Sequence, residues 1–175
     1  MSPVPEDHTL APWRELGESL AGSFSARAQG LLASDFALLD PKGREIGRLK
    51  VNESEGADLV AGDLLARIER TGPKRYAMLD EGARILSAEQ PAGSPGAMRI
   101  RRAEHVYEVS LSLLRNTAEA LSPAKRRAAR AAGGLTNRRY EVAFDVDDAG
   151  ALPVAVFLLY RLVALRRGAY RAGGG

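Results

Sequence analysis

The sequence predicts a mainly β protein, a closed antiparallel barrel of roughly twelve strands around a buried C-terminal hydrophobic helix. Three observations lead there. Ala151-Leu-Pro-Val-Ala-Val-Phe-Leu-Leu-Tyr160-Arg-Leu-Val-Ala-Leu165 is apolar around its whole helical circumference, with Val154, Phe157, Leu158 and Leu165 on one side and Leu152, Val156, Leu159 and Val163 on the other. Such a helix has to be surrounded. A bilayer span needs about 20 apolar residues, and this run is shorter with Arg161 inside it, so protein is the expected jacket. Next, residues 23–146 alternate apolar and polar with period two between closely spaced turn signals, the pattern of antiparallel hairpins. Finally, a flat sheet covers one side of an all-apolar helix, whereas a closed sheet covers every side and leaves no edge.

In chain order, Met1-Ser-Pro-Val-Pro-Glu-Asp lacks the basic and apolar regions of a signal peptide. Residues 1–21 read as a tail leading into a short amphipathic helix, with Trp13, Leu16 and Leu20 at helical spacing. A single barrel domain is expected over 22–168, its central helix over 150–167, and a flexible tail over 169–175. Phe24, Ala26 and Ala28 share one strand face, as do Leu64, Ala66 and Ile68, then Tyr107, Val109, Leu111 and Leu113, then Tyr140, Val142, Phe144 and Val146. The inward phase jumps between Ile46 and Leu49, which predicts a bulge at Gly47. Phe36-Ala-Leu-Leu-Asp-Pro-Lys-Gly43-Arg-Glu-Ile46 is echoed by Tyr76-Ala-Met-Leu-Asp-Glu-Gly82-Ala-Arg-Ile85, either a duplication or convergence on turn chemistry. Residues 122–134, rich in Ala and Arg with no large apolar side chain, fit a short helix, an edge strand or a basic loop.

Composition narrows the chemistry. At 175 residues, 45% hydrophobic and 27% charged, the chain suits one domain with a sizeable core. The absence of cysteine removes disulfides, thiol catalysis and thiolate metal sites. Its two histidines, His8 and His105, lie far apart. Residues 1–87 hold 11 Lys/Arg against 14 Asp/Glu, and residues 88–175 hold 14 against 8, so the net +3 conceals an acidic half and a basic one. A basic half suits an anionic partner.

The hairpin Phe36-Ala-Leu-Leu-Asp40-Pro-Lys-Gly43-Arg-Glu-Ile46-Gly47, the segment Met98-Arg-Ile-Arg-Arg-Ala-Glu-His-Val-Tyr107, and Tyr140-Glu-Val-Ala-Phe144 followed by the apolar helix resemble the tubby C-terminal-like superfamily over about residues 22–167. That group includes the LURP-one-related proteins and the phospholipid scramblases. The resemblance implies a twelve-stranded barrel enclosing a C-terminal hydrophobic helix. It also implies an association with lipid, since tubby proteins bind phosphoinositides through basic surface residues. No lipid-binding position of tubby is carried over onto this sequence, and it has neither the cysteine nor the second apolar run that a scramblase would carry.

No P-loop, G-x-G-x-x-G after a strand, H-E-x-x-H or G-x-S-x-G is present, so no catalytic residue, metal ligand or cofactor is assigned and an enzyme is not expected. Asp145, Asp147 and Asp148 precede the apolar helix, where carboxylates suit its positive end. The candidate site is basic. Alternation turns Arg99 and Arg101 outward together, with Arg102 at the bend, and Arg138 and Arg139 begin another strand of the same half. Lys125, Arg126, Arg127 and Arg130 add to that half. If these side chains converge, they make an anion-binding surface; otherwise they are solvated arginines balancing Glu104, Glu108 and Glu141. The expected function is a non-enzymatic binding module for anionic phospholipid or phosphate headgroups, acting in the cytoplasm or peripherally at the membrane. A protein-interaction scaffold of unknown partner and a C-terminally membrane-anchored protein are the alternatives. Nucleic acid is not expected, because few aromatics interleave with the basic residues.

Overall fold

A computed structural model describes residues 10–52 and 56–173, with side chains through Gly168. The N-terminal tail expected over residues 1–9 lies outside them. After helix α1 (Ala11–Leu20) come β1 (Ser23–Gln29), β2 (Asp35–Leu39), β3 (Glu45–Val51), β4 (Ala57–Ala61), β5 (Leu64–Gly72) and β6 (Arg75–Asp80). Then follow β7 (Ala83–Glu89), β8 (Ala97–Arg102), β9 (His105–Ser112), β10 (Thr117–Leu121), β11 (Arg127–Gly133), β12 (Arg139–Phe144) and helix α2 (Ala151–Gly173). Each strand pairs antiparallel with the next, and β12 pairs with β1, so the sheet closes without an edge. Residues 151–163 of α2 are all buried within it.

The residues 122–134 that fitted three descriptions form a turn and β11, and their small side chains have a steric reason. The backbone of α2 comes closest to β11, with β10 and β12 beside it. Cross-strand pairs Ala118↔Ala131 and Ala120↔Ala129 present four buried alanines on this wall. A methyl per residue lets helix and strand approach closely, as interior packing density requires. Across the barrel the wider gap is filled by large side chains, Phe36, Leu49, Tyr76, Met78, Leu86, Met98 and Ile100, every one buried. Tyr76, Phe157 and Tyr160 stack edge-to-face or tilted, with centroids 5.8–6.1 Å apart.

The bulge predicted near Gly47 is there. Leu38 pairs with Gly47 and Leu39 with Glu45, leaving Ile46 unopposed. Gly47 itself is required, since a Cβ there would collide with the Val60 carbonyl oxygen and lie 2.8 Å from Ala61 Cβ. The echoed hairpin carries the same device, with Met78↔Leu86, Leu79↔Arg84 and Ile85 unopposed. A third copy sits in the β10–β11 hairpin, where Ala120 pairs with Ala129, Leu121 with Arg127, and Ala128 is left over. Its turn hydrogen bonds, Ser122 N to Arg126 O and Lys125 N to Ser122 O, match Asp40 N to Arg44 O and Gly43 N to Asp40 O. Bulges therefore recur every fourth strand at one end of the barrel, where added twist helps closure.

That end is covered by α1, whose amphipathic reading holds: Trp13, Gly17 and Leu20 are buried. Trp13 Nε1 donates to Asp80 Oδ2 at 3.1 Å. Burial, opposed by this hydrogen bond, raises the Asp80 carboxyl above its ordinary value. The other boundaries differ in detail from expectation. Leu113 and Val146 fall beyond the ends of β9 and β12 and are exposed rather than inward. The central helix is longer than 150–167, continuing through Gly173, so the tail expected over 169–175 begins as helix. A glycine inside a helix costs only about 1 kcal/mol, and Arg166 and Arg167 hold this turn by donating to Leu135 O and Val51 O.

Two outcomes test this packing. Ala131→Leu puts a branched side chain between β11 and α2 and should cost about 1–3 kcal/mol in chemical denaturation, whereas Ala132→Leu on the outer face should be nearly silent. Asp80→Asn keeps an acceptor for Trp13 while removing the burial penalty on a charge. A carboxyl whose pKa is raised by folding loses stability as pH climbs from its unfolded to its folded value. Thermal melts at pH 7 should therefore show an unchanged or higher Tm in the variant, and a marked fall would contradict the assignment.

Candidate anion-binding site on the barrel wall

Strand order decides which of the basic residues can meet. Arg99 and Arg101 alternate outward from β8, and β7 pairs with it through Ser87↔Arg101 and Glu89↔Arg99. One strand further, Arg75 of β6 pairs with Glu89. Arg75, Arg84, Arg99 and Arg101 thus gather around one cavity of about 310 Å³, with Thr71, Tyr76, Ser87 and Glu89 also lining it. Arg99 Nε lies 3.5 Å from Glu108 Oε1. Among the described residues, Arg75, Arg84 and Arg101 form no ion pair, and Glu89 is the sole carboxylate lining the cavity. With Glu89 in the lining and Glu108 on Arg99, the four cations still outnumber the carboxylates beside them, and guanidinium forks match the oxygens of a phosphate or carboxylate.

A further cation lies behind this wall. Arg161 of α2, only 6% exposed, donates from Nη1 to the Tyr76 hydroxyl at 2.9 Å. Its guanidinium carbon sits 4.6 Å from the Tyr76 ring centroid and 5.9 Å from that of Tyr160. Its Nε has no hydrogen-bond partner, and it forms no ion pair among the described residues. Tyr76 connects the two features, being at once the acceptor for Arg161 and part of the cavity lining.

The remaining candidates do not join this cluster. Three strands, β9, β10 and β11, separate β8 from β12, so Arg138 and Arg139 cannot share a surface with Arg99 and Arg101. Arg138 Nη2 donates to Gly30 O at 2.8 Å, and Arg139 Nε to Glu141 Oε1 at 3.3 Å. Arg102 is not on the outer face either: it packs beside Gly150 and Tyr107 at the start of α2, its Nε buried without a partner. There the Tyr107 hydroxyl donates to Asp148 at 2.9 Å, and Asp148 also accepts from Gly150 N at 2.9 Å. Burial and then the Asp148 charge push the Tyr107 hydroxyl well above the ordinary tyrosine range. Asp148 accordingly shapes the turn that leads into α2, through Gly150 N on its side chain and Ala151 N on its backbone oxygen. Arg127 pairs with Glu119 at 3.1 Å, so the basic segment around β11 is partly balanced by its neighbours.

Arg75, Arg84 and Arg161 were missed by sequence reasoning. Arg75 and Arg84 belong to the acidic half of the chain, and a count by halves hides them. The usable signal was the meander itself, because strands consecutive in sequence pair in space and bring β6 and β7 beside β8.

No family model matches the chain, and no curated protein matches it. Among solved structures, the X-ray structure of the Arabidopsis thaliana protein AT5G01750 superposes with a TM-score of 0.54 at 9% identity, covering 79% of this chain and 90% of that one. At that identity the likeness shows a shared fold.

Arg161 gives a direct test of the interior charge. A buried cation without a counter-ion is commonly replaceable by an apolar group of similar volume at no loss of stability. Arg161→Met should therefore melt at or above the parent temperature, and a drop of many degrees would mean that its bond to Tyr76 is a main support of the core.

Proposed function

We propose that this chain is a non-enzymatic, tubby-like barrel module that binds a phosphate-type oxyanion on the wall formed by β6, β7 and β8. The observation that supports this reading is the cluster of Arg75, Arg84, Arg99 and Arg101 around a cavity with one lining carboxylate. The buried Arg161 cation behind Tyr76 adds to the positive field at no cost in reorganisation. The fold likeness to a solved barrel is compatible with a tubby-like assignment and carries no function by itself. A phosphate group could be delivered by a lipid headgroup or by a soluble phosphate, and the chemistry of recognition is the same.

Arg84→Glu with Arg101→Glu should abolish chemical-shift changes at β6–β8 when inorganic phosphate or pyrophosphate is titrated at low salt. Exposed charges contribute only about 0–1 kcal/mol to folding, so the melting temperature should barely move. Vesicles containing phosphatidylserine, offered with and without competing pyrophosphate, separate the two sources. Wild-type protein that responds to none of these probes removes the reading.

A further inference from the structure

The end of the barrel opposite α1 carries apolar side chains that none of the described residues covers. Leu31 is 98% exposed, Leu32 78%, Leu114 95% and Leu135 95%, the highest values among the large hydrophobic residues described. They sit in the β1–β2, β9–β10 and β11–β12 connections. Because the barrel order runs β2-β1-β12-β11-β10-β9, these three hairpins are consecutive around the rim. They are also tied together. Arg138 Nη2 donates to Gly30 O at 2.8 Å across the first and third, and Asn116 Nδ2 donates to Gly134 O at 3.1 Å across the second and third. Arg166 of α2 holds the middle of the arc by donating to Leu135 O at 3.1 Å. The leucines therefore project from a braced arc.

Charge on this arc has one sign. Segments 30–34, 113–116 and 134–138 contain no Asp or Glu and carry Arg115 and Arg138, while α2 adds Arg166 and Arg167. Asp35, at the first strand position after the β1–β2 loop, lies 3.6 Å from Arg48. Between the first and third hairpins is a cavity of about 370 Å³ with Leu31, Leu32 and Ala33 on one side and Asn137, Arg138 and Arg167 on the other. Each arginine spends one N–H on a carbonyl, Gly30 O or Val51 O, and a guanidinium has five. Asn137 is buried and its Oδ1 has no partner.

We infer that this rim is the face by which the protein docks on an anionic bilayer, its leucine tips entering the headgroup and acyl boundary while Arg115, Arg138 and Arg167 meet lipid phosphates. An amphiphile matches the cavity, which sets apolar side chains against guanidiniums within one space. Separate, almost fully exposed leucines on hairpin tips suit a deformable lipid interface, and the absence of carboxylate from the three segments suits negative headgroups. No helix among the described residues is long and apolar enough to cross a membrane, and docking of this kind needs none. The inference does not rest on the wall cavity, whose lining comes from β5 to β8, whereas the rim leucines sit in the β1–β2, β9–β10 and β11–β12 connections.

The test is sedimentation of the full chain with phosphatidylcholine vesicles, with and without phosphatidylserine, at low and high salt. Wild type should pellet with the anionic vesicles, less so at high salt. Leu31→Ser with Leu114→Ser and Leu135→Ser, all at exposed sites, should partition about tenfold or more weakly with an unchanged melting temperature. Leu65→Ser, an exposed leucine at the α1 end of β5, should pellet like wild type, which ties the loss to the rim. Leu114→Trp adds a second readout: brominated lipid should quench its emission and spare Trp13, buried on the inner face of α1 at the other end. The inference is overturned if the leucine variant pellets like wild type, if wild type pellets with neither vesicle, or if the leucines instead hold a dimer that Leu114→Ser dissociates.

Discussion

Everything in this structure follows from a helix with no polar side. Residues 151–163 bury every side chain, Arg161 included, and a segment like that has no stable place on a surface. Twelve strands in an unbroken ring supply the enclosure, and the ring in turn requires its contents, because a barrel of this size is too wide for its inward side chains to fill alone. Neither part has an independent fold to retreat to. The nearest-neighbour meander makes closure simple to reach, since only the β1–β12 pairing joins strands distant in sequence.

Enclosure also explains the uneven distribution of residue sizes. Helix α2 lies against the alanine wall of β10 and β11, and the cost of that choice is a broad space opposite, taken up by Tyr76, Met78, Met98 and Ile100. Into the same region the helix sends Arg161, which finds a phenol and two aromatic faces where a carboxylate would be the usual partner. An arginine held this way costs more to bury than an apolar residue and contributes nothing obvious to packing. The wall outside Tyr76 is where four surface arginines meet, so the interior and exterior charges reinforce one another across a single layer of sheet.

The architecture was legible because it is written in periods. An all-apolar helix and alternating strands leave few ways to bury both, and the jump in phase before Leu49 located a bulge to within one residue of Ile46. Residues 122–134 were ambiguous for a physical reason: their alanines are selected for the space beside α2, and small size under steric constraint carries no periodic signal. The site was only partly legible. Alternation placed Arg99 and Arg101 on one face correctly, yet it could not say that three strands separate them from Arg138 and Arg139, nor that Arg102 turns in toward Gly150. Proximity across a closed sheet depends on strand order, and residue composition is blind to it.

The two ends of the barrel are finished in opposite ways, and the difference bears on function. At the end where α2 begins, α1 lays Trp13 and Leu20 over the opening, and the bulged hairpins with their Asp40, Asp80 and Ser122 turns complete the rim. At the end where α2 emerges, the hairpins carry leucine at their tips, and Arg138, Asn116 and Arg166 each brace them through a bond to a loop carbonyl. Had exposure of those leucines been a mere by-product of loop length, it should recur at the α1 end, where residues 40–44 and 122–126 make connections as long as 30–34 and 134–138. There the large apolar side chain exposed beyond the strands is Val146 alone among the described residues. One end is therefore shielded by α1, whereas at the other the described residues leave Leu31, Leu32, Leu114 and Leu135 open.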